Sequence, residues 1–506
     1  MDGSVRPTDT GTGKVQGAVM DTSELALRRI AVETRPEDAE ARQLLALALA
    51  EEERHEEAVV HFEEACRLRP NHSPWHYNRG LSLQVLQDYP NAVAAYREAV
   101  NGAPDLFEGW ANLALAYKSL GRFSDAQEAA HRSIELRPED PAGYRALGSA
   151  LWGSGDLAGA AVAFQQARSR APDDWGTTLN LANTLKETGR LQEAIGLLRG
   201  VVLVQPNWPE AHRDLAHALL LNGEFEEGWR ENIWRWKTAG MDKRKWAAPE
   251  WKGEPLEGKK ILLYTEQGFG DSLQFARYAP LVAARGGRVI LECQEALKRL
   301  FDTMTGVEQV VARGERLPIY DFQCPLMELP RLFETTLDTI PNEIPYLQAE
   351  GKRTNGKFPR VGMAWKGPER ALNNRSVELQ HWAGLIECPG VEWWSLQLEG
   401  TAALGNLECG NRVRNEIEEI KDFADTAALM MDLDLVVTVD TSVAHLAGAL
   451  GRPTWVLLAQ GSDWRWLRER EDSPWYPTLR LFRQGTEESW PEVMGRVRTA
   501  LQAGRF

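Results

Sequence analysis

Residues 105–138 read DLFEGWANLALAYKSLGRFSDAQEAAHRSIELRP, a 34-residue window that ends on a proline. Within it Trp110, Leu113, Tyr117, Gly121 and Ala126 fall at the spacing of two amphipathic helices separated by a glycine turn. The closing proline recurs. Pro36, Pro70, Pro104, Pro138, Pro172 and Pro206 stand 34 residues apart. A fixed period of this kind predicts a stack of helical hairpins, each burying its apolar face against the next.

A 34-residue helix–turn–helix period is that of the tetratricopeptide repeat. The neighbouring windows agree with it. Gly80, Ala92, Tyr96 and Ala99 precede Pro104, and Tyr144, Leu147, Gly148, Ala160, Phe164 and Ala167 precede Pro172. The small residues let antiparallel helices approach closely and the aromatics fill the gaps between pairs. Gly121, Gly155 and Gly189 stand where the first helix of a pair ends, at a place suited to a left-handed turn. Five windows fit well. A sixth, from about Asn207, keeps Leu215, Ala216, Leu219 and Gly223 but has Gly228 and Asn232 where Ala and an aromatic are expected, so it reads as a modified cap. A leading helix is expected over residues 21–34 and a disordered tail over 1–20. Repeats over 21–240 form an α-solenoid, a scaffold whose concave groove suits an extended polypeptide. Asn78, Asn112 and Asn180 are the candidate contacts to an acceptor backbone there; each also has the plainer reading of a solvated surface residue.

Trp229, Trp234, Trp236, Trp246 and Trp251 follow, mixed with Arg230, Arg235, Lys243, Arg244 and Lys245. They read as an interdomain wedge of flat rings on basic stems rather than a stacking platform for carbohydrate or nucleic acid. The Pro and Gly content of 249–258 marks a linker, so 241–258 is expected to join two modules.

From Lys259 the period changes. The short apolar run at 260–265 reads as a buried parallel strand, followed by Gly268-Phe269-Gly270-Asp271, a helical pattern through Leu281 and a second strand at 288–292. A second series begins at 360–365, with strands at 391–396, 433–439 and 454–458 and a helix at 442–450. Two Rossmann-like α/β lobes, 259–350 and 351–506, form the GT-B architecture. Ligands in open α/β sheets collect at the carboxyl ends of strands. Four elements stand there: Gly268 and Gly270 before Asp271, whose glycines would admit a phosphate to backbone amides; Asp440, Thr441, Ser442 and His445, at the start of a helix; the cations Lys366, Arg370 and Arg375; and Gln397. Simple helix capping with a packed histidine is the alternative for the second element, and solvated loop charge for Arg370. Asp432-Leu433-Asp434 resembles a DxD metal motif but stands at the start of a strand, away from the cleft. No metal and no cofactor is expected.

Gly268-Phe269-Gly270-Asp271 followed by a helix and Pro280, together with Asp440-Thr441-Ser442, His445 and Leu446, resembles the ADP-heptose heptosyltransferase family over about residues 259–500. The resemblance implies Asp271 as the base on an acceptor hydroxyl, Thr441, Ser442 and His445 as contacts to the donor diphosphate, and Arg375 near the family's basic phosphate contact. Ser442 stands in the usual glycine position. The fusion to repeats is similar to protein O-GlcNAc transferases and bacterial flagellin glycosyltransferases, where repeats select a protein acceptor. The implied activity is inverting, metal-independent transfer of a sugar from a nucleotide-activated donor to a protein Ser or Thr. A lipid-linked glycan acceptor, or a scaffold with an inactive transferase-like domain, are the competing readings. The segment from Asp463-Trp464-Arg465-Trp466 to Pro477 is similar to proteins of this combined type; it reads as a structural cover, with a lining of the nucleotide pocket as the alternative.

Composition bounds the rest. With 506 residues, 43% of them hydrophobic and 26% charged, the chain has the balance of a globular protein. A formal charge of −15 argues against a general nucleic-acid binder. No apolar run is long enough to span a bilayer. Cys66, Cys293, Cys324, Cys388 and Cys409 are odd in number and widely spaced, without a CxxC, which suits a reducing cytoplasm.

Overall fold

The computed structural model describes residues 22–241, 244–351, 358–367, 375–485 and 488–504. The tail at 1–20, Lys243 and Arg370 lie outside the described residues. The chain forms two compact units that divide between Pro206 and Asn207.

The first unit is an α-solenoid. A leading helix, Thr22–Thr34, precedes five hairpins among the described residues: Ala39–Glu51 with His55–Leu68, Ser73–Val85 with Tyr89–Gly102, Phe107–Ser119 with Phe123–Leu136, Pro141–Ser154 with Leu157–Arg170, and Trp175–Glu187 with Leu191–Val204. Asp38, Asp140 and Asp174 cap first helices, and Asp88 and Asp156 cap second helices, each carboxylate accepting from a free amide of the first turn. Close packing explains the small residues. A methyl placed on Gly80 would lie 2.5 Å from the Tyr96 ring, and one on Gly148 2.7 Å from the Phe164 ring. Tyr96 and Phe164 thus seat in notches on the first helices of their own hairpins, and Ala92, Ala126 and Ala160 of the second helices are fully buried.

The turn inside each hairpin repeats one backbone state. Gly121, Gly155 and Gly189 have φ of 72°, 88° and 87°, and the equivalent positions one and two periods earlier are Gln87 and Glu53, both at φ 61°. An L side chain in this left-handed region is disfavoured by roughly 1 kcal/mol. Gln87→Gly is therefore expected to stabilise the solenoid by about 0.5–1 kcal/mol, read as a higher urea midpoint with unchanged slope.

The second unit begins with a sixth hairpin, Pro209–Leu221 and Phe225–Asn232. Its second helix has 8 residues where the five before it have 14, and it runs into a 3-10 turn, Ile233–Lys237. The sequence boundary at 240 places this hairpin with the repeats. In the structure it packs with the α/β part, because Leu220, Phe225 and Trp229 lie in one hydrophobic core with the strands.

Two parallel sheets follow. The first has β1 (Lys260–Tyr264), β2 (Arg288–Cys293), β3 (Val307–Ala312) and β4 (Phe322–Pro325) in the order β3-β2-β1-β4. The second has β5 (Arg360–Ala364), β6 (Glu392–Ser395), β7 (Val413–Arg414), β8 (Leu435–Val439), β9 (Thr454–Leu458) and β10 (Leu479–Arg483) in the order β10-β9-β8-β5-β6-β7. The continuous apolar runs of β1 and β8 are buried on both faces, as parallel strands covered by helices require. In each sheet the chain winds outward from its first strand and then returns to that strand's other side. The switch points lie between β1 and β4 and between β5 and β8, where doubly wound folds hold ligands.

The stretch 241–258 does not behave as a linker where it is described. Gln323 of β4 donates its amide to Pro249 and accepts from the amide of Trp251, so the segment extends the first sheet. Trp251 is fully buried. Pro and Gly marked irregular backbone correctly, but the indole pins that backbone into the core. Trp229 is the wedge: its Nε1 donates to the Thr335 carbonyl at 3.0 Å, and its ring meets Trp464 and Phe275 edge-on. One hydrophobic core runs through both lobes, so they meet as a packed body.

Candidate active site

The two motifs read from sequence pack against each other. The helix Phe269–Ala276 starts after β1, and the helix Ser442–Ala449 starts after β8; their faces are in contact. A methyl on Gly270 would lie 2.9 Å from His445 Cδ2. The absence of a Cβ at Gly270 thus admits a histidine ring from the other lobe. Gly268 has φ −71° and ψ 172°, a conformation open to any residue, and serves as the N-cap of its helix.

Asp271, at the third position of that helix, divides its carboxylate between two tasks. Oδ2 accepts the Gly268 amide at 3.1 Å, and Oδ1 pairs with Arg465 of the second lobe. Arg465 is fully engaged: Nε donates to Gln274 at 2.7 Å, Nη1 to Asp463 at 2.8 Å, and Nη2 to Asp271. Asp463 also accepts from Arg375 at 3.1 Å, and Arg375 pairs with Asp440 at 2.9 Å. Asp271, Arg465, Asp463, Arg375 and Asp440 form one file of alternating charge, from the end of β1 to the switch point of the second sheet. Burial raises the Asp440 carboxyl above its ordinary pKa despite Arg375. Burial also pushes Asp463 upward, but Arg465 and Arg375 outweigh it and hold that carboxyl well below the usual range.

The remaining donor-side candidates surround this file. Thr441 caps its helix, its hydroxyl accepting from the Val443 amide at 3.2 Å, and Ser442 is the first helical residue. A methyl on Gly367 would lie 3.2 Å from Arg375 Cβ and 3.5 Å from Thr441 Cγ2, so the loop after β5 and the turn after β8 come together at the switch point. Gln397 acts from inside the protein: its side-chain oxygen accepts the amides of Trp365 and Lys366 at 3.1 and 2.8 Å, tying β6 to the loop that carries exposed Lys366.

His445 is packed rather than presented. It is 5% exposed, stacked on Trp466 at 5.3 Å, and its Nδ1 shares a 2.9 Å hydrogen bond with the Tyr476 hydroxyl. Burial, with the Arg465 charge second, pushes its pKa down to about 3, so the ring is neutral near pH 7 and is no cationic phosphate donor. Asn78, Asn112 and Asn180 are half-buried on the first helices of their hairpins, and Asn112 donates to the Tyr77 hydroxyl of the preceding repeat at 2.9 Å. Asp434 accepts the Arg360 amide at the amino end of β5, opposite the ligand edge. No group of three or more His, Cys, Asp or Glu poised for a metal occurs among the described residues.

Two clusters go beyond the sequence reading. Asp463 and Arg465 follow β9 at the ligand edge; the sequence marks their segment as a cover or a pocket lining without assigning these charges. Arg235 pairs with Glu266 at 2.8 Å and Glu328 at 3.6 Å, all three buried, at the switch point of the first sheet. That cluster joins a residue of the repeat-derived segment to two strand ends, which no local motif announces.

Known proteins share this design. Tetratricopeptide-repeat family models match residues 21–73, 111–174 and 151–220, and the model of glycosyltransferase family 9 (heptosyltransferase) matches 416–493. Protein FlbA of Caulobacter vibrioides is 30% identical over 485 residues, which is 87% of this chain and 80% of that protein. The chain belongs to the FlbA family. It combines tetratricopeptide repeats with a glycosyltransferase family 9 domain. The Hsp70-Hsp90 organizing protein of Triticum aestivum is 33% identical over 98 residues, 19% of this chain and 17% of that one. A tetratricopeptide repeat protein from Parabacteroides merdae superposes with a TM-score of 0.39 at 15% identity, covering 44% of this chain and 87% of that structure. No helix among the described residues of this FlbA-family chain is long and apolar enough to cross a membrane.

Two measurements test the packing at the lobe contact. Gly270→Ala forces a methyl onto a buried ring and is expected to cost about 1–3 kcal/mol in urea unfolding; His445→Ala added to it should recover part of that loss. The His445 pKa is depressed from its ordinary 6.5 to about 3 in the folded state. The unfolded chain therefore binds that proton first, and stability falls as pH drops from about 6.5 toward 3, by roughly 1.4 kcal/mol per pH unit for this one group. Unfolding followed from pH 7 to pH 4 should show a slope shallower by about one proton in His445→Gln.

Proposed function

We propose that this FlbA-family chain moves a sugar from a nucleotide-activated donor to a Ser or Thr hydroxyl of a polypeptide engaged by its repeats. The observation that carries this reading is the charged file itself. It joins a carboxylate, Asp271, on one lobe to a cation, Arg375, at the ligand-holding switch point of the other. In the proposed reaction Asp271 takes the acceptor hydroxyl proton as oxygen attacks the anomeric carbon. The bond from that carbon to the donor phosphate breaks on the opposite face, which inverts the centre. Arg375, Lys366 and the amides that begin the helix Ser442–Ala449 receive the negative charge of the departing nucleotide. This chemistry draws its positive charge from side chains and helix amides and is metal-independent. Tetratricopeptide repeats are protein-interaction modules, which supports a polypeptide acceptor, with Asn78, Asn112 and Asn180 as candidate contacts.

Asp271→Asn keeps the shape of the side chain and removes its capacity as a base. Transfer is expected to fall by about 10²–10⁴-fold while nucleotide binding is retained. The assay incubates the full chain with isotope-labelled nucleotide sugars and host-cell extract, then locates the label by mass spectrometry. Label on Ser or Thr of a protein supports the proposal. Label in glycolipid assigns the acceptor to a lipid-linked glycan instead, and full activity of Asp271→Asn removes that residue from the role of base.

A further inference from the structure

Within the charged file, Asp463 alone touches both cations. Its Oδ1 accepts from Arg465 Nη1 at 2.8 Å and from the Arg465 amide at 3.1 Å, while Oδ2 accepts from Arg375 Nη2 at 3.1 Å. Three carboxylates and two guanidiniums leave the file with a formal charge of −1. As it stands, both functional ends are occupied: Arg375 is held by Asp463 and Asp440, and Asp271 is held by Arg465. An anionic donor arriving at Arg375 must compete with one of its two carboxylates. Asp440 follows directly from β8 and is 6% exposed in its side chain; Asp463 is 18% exposed and lies in the irregular segment after β9. That segment stores backbone strain close by, with buried Leu467 at φ 54° and ψ −157°, a region almost reserved for glycine. Asp463, more exposed and on irregular backbone, is the partner better placed to move.

We propose that Asp463 is a positioning residue that couples donor binding to release of Asp271. When the donor phosphate takes Arg375, Asp463 turns both oxygens to Arg465 and draws that guanidinium off Asp271, whose carboxylate then faces the acceptor hydroxyl. No covalent bond is made or broken in this step: Arg375 exchanges Asp463 for the donor phosphate, Arg465 exchanges Asp271 for the second Asp463 oxygen, and Asp271 is left unpaired. Before the donor arrives, the base is neutralised by Arg465. By linkage, release of Asp271 and occupation of Arg375 favour each other to the same extent. The inference rests on the proposed function, since it assigns Asp271 as the base.

The test is Asp463→Asn in the full chain, with Asp463→Asn/Arg465→Gln as its companion. Binding is measured by calorimetry with a panel of nucleoside mono- and diphosphates, and transfer with labelled nucleotide sugars. Removing one of its two carboxylates leaves Arg375 paired with Asp440 alone, so the single variant should bind the nucleotide about 5-fold or more tightly. Its kcat should nevertheless fall by about 10-fold or more, because Arg465 stays on Asp271. Removing Arg465 as well should restore part of that kcat. A merely structural role predicts the reverse: weaker binding in the single variant and a further loss in the double one, and either result overturns the coupling. Unchanged kcat in an active Asp463→Asn protein overturns the coupling alone. A wild-type chain that binds nucleotide but shows no transfer overturns the proposed function, and the coupling with it.

Discussion

Arg465 reaches from the second lobe and closes on Asp271 and Gln274 of the first, while a third bond returns to Asp463 of its own lobe. A guanidinium removed from water is tolerable only when its donors are met, and breaking one partner of such a buried pair costs about 3–5 kcal/mol. The lobes are therefore held in register by a charge that neither could bury alone. Arg277 repeats the device from the opposite side. It stands on the first lobe, donates to the Trp475 carbonyl at 2.6 Å and to the Tyr346 hydroxyl at 3.1 Å, and lies over the Tyr476 ring at 4.4 Å. Two arginines, one from each lobe, thus cross the same boundary in opposite directions.

This crossing gives the glycine-rich turn a packing role that its sequence does not announce. Gly270 brings the helix Phe269–Ala276 against His445, and His445 is neutral because burial, and after it the charge of Arg465, disfavours its protonation. Close approach of two helices and close approach of a phosphate place the same demand on sequence, a residue without Cβ. The motif alone does not distinguish them. What does is the partner across the gap, and that partner is 175 residues away in the chain.

The legible parts of the molecule were those where one local rule repeats. Prolines every 34 residues and notches at Gly80 and Gly148 exposed the solenoid, and the apolar runs at β1, β5, β8 and β9 exposed both lobes. The strands β3, β4, β7 and β10 carry weaker patterns: β3 is exposed at its second and third residues, and β7 is two residues long. Asp271, Arg375, Asp440 and Thr441 are legible as candidates because strand ends are ligand edges. Asp463 and Arg465 stand at the same edge after β9, yet three tryptophans close around them in the chain drew the reading toward packing. Both readings apply there, since Trp464 and Trp466 are buried and the charged residues between and beside them carry the file.

The sixth hairpin shows how a repeat changes character without losing its pattern. Its first helix keeps the repeat's apolar spacing, but its second is cut to 8 residues. The chain freed by that shortening forms the 3-10 turn that carries Arg235 to Glu266 and Glu328 at the first lobe's switch point. Burial raises the Glu266 pKa even with Arg235 beside it, as expected of two carboxylates sharing one guanidinium in a dry site. A repeat that ended in a full second helix would hold Arg235 on a helical surface. Ending it early, with Trp229 wedged between Thr335 and Trp464, commits the last hairpin to the catalytic unit and places a repeat-derived cation among the strand ends of the transferase.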